Sequence, residues 1–196
     1  MITKLYGQWE EANRIFTTMQ ARWQRAITKA MMQEAHRVRG HIVTNITSGG
    51  THAGQPFAPL SPGTLIVRQY LGLGGSKPLI QTGAMRAAVS VVSMGPNAVF
   101  IGIRRTGKGG ANLAAIHEYG ASYSRQMTDK QRRFLMAAFR SAGGASSPGK
   151  GGGTLHIRIP ARPFVNPVIE RFAKPSDVQK RFFESIAKSM DGDFGS

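Results

Sequence analysis

Val89-Ser90-Val91-Val92-Ser93-Met94, then Gly95-Pro96-Asn97, then Ala98-Val99-Phe100-Ile101-Gly102-Ile103, is the stretch on which the fold class turns. Two runs rich in β-branched residues, separated by Gly-Pro-Asn, predict an antiparallel hairpin. Leu155-His156-Ile157-Arg158-Ile159 alternates apolar and polar residues like a half-buried strand whose apolar face can join that hairpin. Everything around these runs reads as helix or loop. The expected class is therefore α+β: a small antiparallel β-sheet with helices packed on it and a long N-terminal helical arm.

The arm rests on periodicity. Leu5, Trp9, Ala12, Phe16, Met19, Trp23, Ala26 and Ala30 recur at alternating spacings of four and three, and Val38, Ile42 and Ile46 extend the stripe. Gly40 is a soft point, costing about 1 kcal/mol relative to alanine. A helix of about 40 residues is about 60 Å long, too long for a compact domain to cover. It is expected either to break near Gly40 or to pack its outer part on a neighbouring subunit. Trp9, Phe16 and Trp23 on one stripe favour a partner for the first half.

Ser48-Gly49-Gly50 ends that helix. Gln55 to Leu60 is extended, because residues before proline avoid the α region. Ser61 followed by Pro62 reads as an N-cap with proline at the first helical position, opening a helix to about Tyr70. Leu71–Ser76 is a flexible connection. Ala111 to Tyr119 is expected to be a short helix ended by Gly120. Thr128-Asp129 caps another, with Phe134, Leu135, Ala138 and Phe139 apolar and Lys130, Arg132, Arg133 and Arg140 exposed. Pro167 starts a last helix, interrupted or kinked at Pro175. The expected organisation is an arm over 1–47, an α+β core over 48–172 and a C-terminal helix over 173–196. Ala142–Gly153, with six glycines, is expected to be a mobile insertion.

The chain has 196 residues and no cysteine, which removes disulfide scaffolds, zinc fingers and thiol nucleophiles. Lys and Arg number 26 against 10 acids, a net charge of +16 and a pI near 11.3. Between Ala35 and Ile169 sixteen Lys/Arg face two acids, Glu118 and Asp129, so +14 of the charge lies there. Such a field attracts phosphate backbones or acidic protein surfaces; it also serves solubility alone. No run reaches the ~18 apolar residues of a membrane span, and the first residues lack the apolar centre of a signal peptide. The expectation is a soluble protein with no membrane partner.

Catalytic constellations are scarce. Gly102-Ile103-Arg104-Arg105-Thr106-Gly107-Lys108-Gly109 has the spacing of a phosphate loop, but glycine replaces the Ser/Thr that holds magnesium. It reads instead as a basic glycine turn able to touch a nucleic-acid backbone. His36 and His41 do not share a helix face, and His117-Glu118 lacks a second histidine for metal binding. Two acids in the central region leave almost no material for paired-carboxylate catalysis. The expectation is a protein that is not an enzyme and carries no cofactor or metal.

Four separated segments carry a resemblance. They are Gly54-Gln55-Pro56-Phe57-Ala58-Pro59-Leu60-Ser61, Pro78-Leu79-Ile80-Gln81-Thr82-Gly83-Ala84-Met85-Arg86, Ala114-Ala115-Ile116-His117-Glu118-Tyr119-Gly120 and Ile159-Pro160-Ala161-Arg162-Pro163-Phe164. In order and rough spacing the chain resembles the phage virion morphogenesis, or tail-completion, proteins of tailed bacteriophages over about residues 40–172. Met85 stands where the family usually has leucine. The resemblance implies a structural virion component at the neck or head-proximal end of the tail, assembled in the host bacterial cytoplasm. It implies a homo-oligomeric ring matched to a six-fold tail or twelve-fold portal. Its neighbours would be neck, tail-terminator, tail-tube or portal and adaptor proteins.

The family-segment residues Thr82, Gly83, Arg86, His117, Tyr119, Gly120, Arg162, Pro163 and Phe164 are interface candidates, of which Thr82, His117, Tyr119 and Phe164 also read as intramolecular cap and core residues. Protomers are expected to pack through the sheet edge and through Trp9, Phe16 and Trp23. Arg104, Arg105 and Lys108 are expected to face double-stranded DNA in the lumen or an acidic neighbour. The alternative is a stand-alone, sequence-independent DNA-binding protein or a non-virion assembly factor.

Overall fold

The computed structural model describes residues 9–104, 106–107, 111–144 and 153–191. Over these described residues the chain is α+β, with seven helices and two small antiparallel sheets of two strands each. Helix α1, Trp9–Ser48, runs unbroken for 40 residues. Gly40 does not interrupt it. A Cβ there would meet nothing within 4 Å, so the glycine sits on an open face, while Val38 and Ile42 beside it are buried and hold the helix together. Packing of the apolar stripe outweighs a propensity cost of about 1 kcal/mol.

The turn after α1 explains its glycines. Gly50 has φ +97°, and a Cβ would collide with the Gln55 carbonyl and the Phe57 ring. Only glycine admits that approach. A 3-10 turn, Thr51–Ala53, and the extended Gln55–Leu60 segment follow. Helix α2, Pro62–Tyr70, opens as expected, with the Ser61 side chain accepting from the Thr64 N–H. Helix α3, Ala84–Ala87, leads into strand β1, Val89–Gly95, which pairs with β2, Ala98–Ile103. This hairpin packs on α1, and Arg39 Nε donates to the Val89 carbonyl at 2.8 Å.

The expected single sheet is two. Strand β4, Thr154–Ile159, does not join the first hairpin; it pairs with β3, Ala121–Gln126, in a second sheet. The Ala-Ser-Tyr-Ser-Arg-Gln of β3 is exposed at every position but Ala121, so it lacks the apolar alternation that announces a strand. Helix α4, Leu113–Tyr119, precedes β3 and is capped by Asn112. Helix α5, Asp129–Ser141, is inserted between β3 and β4 and packs on α2. Thr128 and Gln131 form a reciprocal capping box at its start. Of the expected mobile insertion, residues 145–152 lie outside the described residues.

The C-terminal segment is two helices, α6 (Asn166–Phe172) and α7 (Pro175–Asp191). One core cluster joins Val38, Ile42 and Ile46 of α1 to Phe57, Val89, Phe164 and Val168. A second joins Ala26 and Ala30 of α1 to Ile186 of α7. The α1–α7 pair is antiparallel: Glu34 receives both Nε and Nη2 of Arg181, at 2.7 and 2.9 Å, and Gln33 receives Ser185. Beyond that pair the stripe is uncovered. Trp9, Phe16 and Trp23 are 60%, 70% and 42% exposed.

Candidate functional site

The segments that carry the resemblance meet in space. Glu118, on α4, is 7% exposed. One of its carboxylate oxygens accepts the Phe164 and Val165 N–H groups at 2.8 and 3.1 Å, and the other accepts Asn166 N–H at 2.9 Å. These are the donors at the start of α6, whose own N-cap residue, Val165, has no side chain to satisfy them. A carboxylate from another helix thus caps α6, on the side its dipole favours. The same α4 segment binds Arg162, whose N–H donates to the His117 carbonyl at 2.7 Å.

The Arg162 side chain then reaches the Gly54–Ser61 segment. Its Nε donates to the Ala58 carbonyl at 2.7 Å and its Nη2 to that of Pro59 at 3.0 Å. Asn45, fully buried on α1, ties in from below: its Nδ2 donates to the Phe164 carbonyl and its Oδ1 accepts the Ala53 N–H. Gly120 has φ +81°, and a Cβ there would lie 2.9 Å from the Ile159 carbonyl. Glycine is required where α4 turns tightly against the end of β4.

Around this knot lies a cleft of about 600 Å³. Its walls come from Pro59–Pro62, from Gln81, Thr82 and Met85, from His117, and from Ile157–Pro160 with Arg162. Arg68 of α2 completes it. Burial, and then the neighbouring Arg162, hold the His117 imidazole below its usual pKa of 6.5, and its Nδ1 is buried without a partner among the described residues.

The other expected site residues divide. Thr82 and Gly83 shape the entry to α3: Gly83 has φ +69° and Thr82 Oγ1 accepts the Ala84 N–H at 3.4 Å. Arg86 is exposed on α3 itself, three residues ahead of β1. Tyr119 is 72% exposed, whereas Phe164 is fully buried and Pro163 half-buried. Arg104 is exposed at the end of β2; Arg105 and Lys108 lie outside the described residues. Around them, a Thr106–Asn112 bridge and a Gly107 N–H to Ala111 carbonyl bond of 2.7 Å join the described residues.

Asn45, Arg68 and the role of Glu118 were not legible. For Glu118 the sequence offers only its scarcity as one of two acids among sixteen cations, a feature it shares with the exposed Asp129.

A second polar cluster fastens α1 to α6. His41 Nδ1 and His52 Nε2 share a hydrogen bond of 3.0 Å, and both rings stack on Phe172. Arg37 donates to the Phe172 carbonyl and Arg171 lies over its ring. Burial first, then Arg37, His52 and Arg181, lower the His41 pKa, against a smaller raising effect of Glu34. A histidine whose folded pKa lies below the unfolded 6.5 stabilises the fold above pH 6.5 and loses that contribution as pH falls. The melting temperature should therefore fall as pH drops below about 6.5. In His41→Phe, which keeps the stack and removes the titration, it should fall less, with His117 supplying the remainder. Superimposable pH profiles from thermal melts of the two proteins would refute this.

Among the described residues no group of three or more His, Asp or Glu is placed to hold a metal ion, and no helix is long and apolar enough to cross a membrane. No model of a known protein family, no curated protein and no solved structure matches the chain, so its function has to be argued from its own residues.

Proposed function

We propose that the chain is a structural component of a tailed-phage virion, a tail-completion or head–tail joining protein that assembles as a ring at the head-proximal end of the tail. The observation that carries this reading is the convergence of four separated family-like segments on one cleft, three of them also tied together in one buried hydrogen-bonded knot. The knot spends its polar residues on holding loops rather than on presenting a reactive group. The uncovered Trp9/Phe16/Trp23 face of α1 supports a role completed by a neighbouring subunit. The test is the copy number per purified particle, by quantitative mass spectrometry against the portal and tail-tube proteins. About six or twelve copies are expected; absence from mature particles overturns the reading.

The charge favours a second reading, sequence-independent DNA binding. Of the two acids between Ala35 and Ile169, Glu118 is engaged internally by backbone N–H groups and Asp129 pairs with Arg132 at the surface, which leaves the region strongly positive. A DNA binder loses affinity steeply with salt, whereas a ring held by apolar helix packing survives it. Replacing Arg104, Arg105 and Lys108 together by alanine tests their DNA-facing assignment within the ring: unchanged joining and infectivity would remove it.

A further inference from the structure

Two buried cations have no counter-charge among the described residues. Arg68 and Arg162 are 9% and 5% exposed and line the same cleft. Each donates only to backbone carbonyls, Arg68 to those of Gly75 and Lys77 at 3.2 and 3.1 Å, Arg162 to those of Ala58 and Pro59. Among the described residues neither is paired with a carboxylate, and no acid lines the cleft. A guanidinium carries five N–H donors, so both retain unused ones. Burying such cations without an anion is costly. Arg158 adds a third positive charge to the lining, and His117 an unpartnered buried nitrogen. The mutual repulsion of Arg68 and Arg162 adds to burial in lowering the Arg162 pKa.

The lining also carries apolar side chains, Leu60, Leu79, Met85, Ile157 and Ile159, beside the neutral polar Ser61, Thr64, Gln81 and Thr82. A phosphate backbone leaves those apolar side chains uncovered, whereas an acidic peptide with an apolar side chain fills both parts of the site. Ile157, Arg158 and Ile159 are consecutive residues of β4, which pairs with β3 on one side only. Its remaining edge runs beside the cleft and suits an extended segment.

We propose that this cleft receives the acidic segment Asp191–Phe194 of a second copy of the chain. Eight of the ten acids lie in helices ahead of the last residue of α7, where they are not free to enter a cleft in extended form; the other two are Asp191, which ends α7, and Asp193, which with Phe194 follows it in sequence. The segment cannot reach its own cleft. The end of α7 lies beside Ala26, whereas Arg162 is two residues from Phe164, which bonds Asn45. Those levels are about 29 Å apart along α1, whereas two residues of fully extended chain span at most about 7 Å. The contact is therefore between two copies, and repeated head to tail it closes into a ring when the rotation between copies closes. This rests on the self-assembly part of the proposed function.

The test uses the full chain and a labelled peptide of residues 188–196, followed by fluorescence anisotropy at low salt. Saturable binding is expected, weakened at least tenfold when both aspartates of the peptide are asparagine. Arg158→Glu, an exposed position in β4, should weaken binding at least tenfold while leaving the circular dichroism unchanged. Absence of saturable binding, equal affinity for the asparagine peptide, or an unaffected Arg158→Glu chain each overturns the proposal. None of those outcomes alters the copy number in particles, so failure here is distinguishable from failure of the virion assignment.

Discussion

Glu118→Ala should destabilise the chain by about 3–5 kcal/mol, because it removes the shared acceptor of three N–H groups at the start of α6. Phe164 N–H is buried and has no solvent to turn to, while Val165 and Asn166 are nearer the surface and recover part of the loss. Glu118→Gln keeps one oxygen as acceptor but turns an amide N–H toward the remaining donors, so about half of the cost is expected. Urea unfolding followed by far-ultraviolet circular dichroism measures both. If the alanine variant lies within 1 kcal/mol of wild type, the carboxylate does not organise the knot.

Phe164→Ala should cost about 3–5 kcal/mol through a different mechanism, the cavity left in the main core. The ring is fully buried in a cluster with Val38, Ile42 and Ile46 of α1, Phe57, Val89 and Val168. These come from four separate parts of the chain, so the hole has no single mobile neighbour to fill it. For a domain of this size the loss corresponds to a fall in Tm of about 10 °C. A thermal melt unchanged within 3 °C would mean that the core closes over the gap. The Phe164 N–H is one of the donors to Glu118, so the double variant should lose less than the sum of the singles.

What the sequence discloses here depends on the range of the interaction. The α1 stripe, the Ser61 and Thr128 caps and the β1–β2 hairpin are written in residues a few positions apart, and all three were legible. β3 was not, because its exposed Ser, Tyr, Arg and Gln carry no apolar alternation. The site was legible as four segments but not as one object. The bonds that unite it join Glu118 to residues 46 to 48 positions away and Arg162 to residues more than 100 away. The pairing of Arg68 with Arg162 in one cleft follows from where α2 lies beside the closing loop, which no local spacing encodes.

The unbroken course of α1 makes it a lever. The same helix supplies Val38, Ile42 and Ile46 to the core and carries Trp9 at its far end, about 44 Å from Val38. Its only glycine, Gly40, lies on the core side of that span, so the stretch from Val38 outward has no soft point. A tilt of about 10° where the helix meets the core displaces Trp9 by about 8 Å by simple geometry over that length. A small adjustment at the core is therefore delivered, magnified, to the aromatic tip.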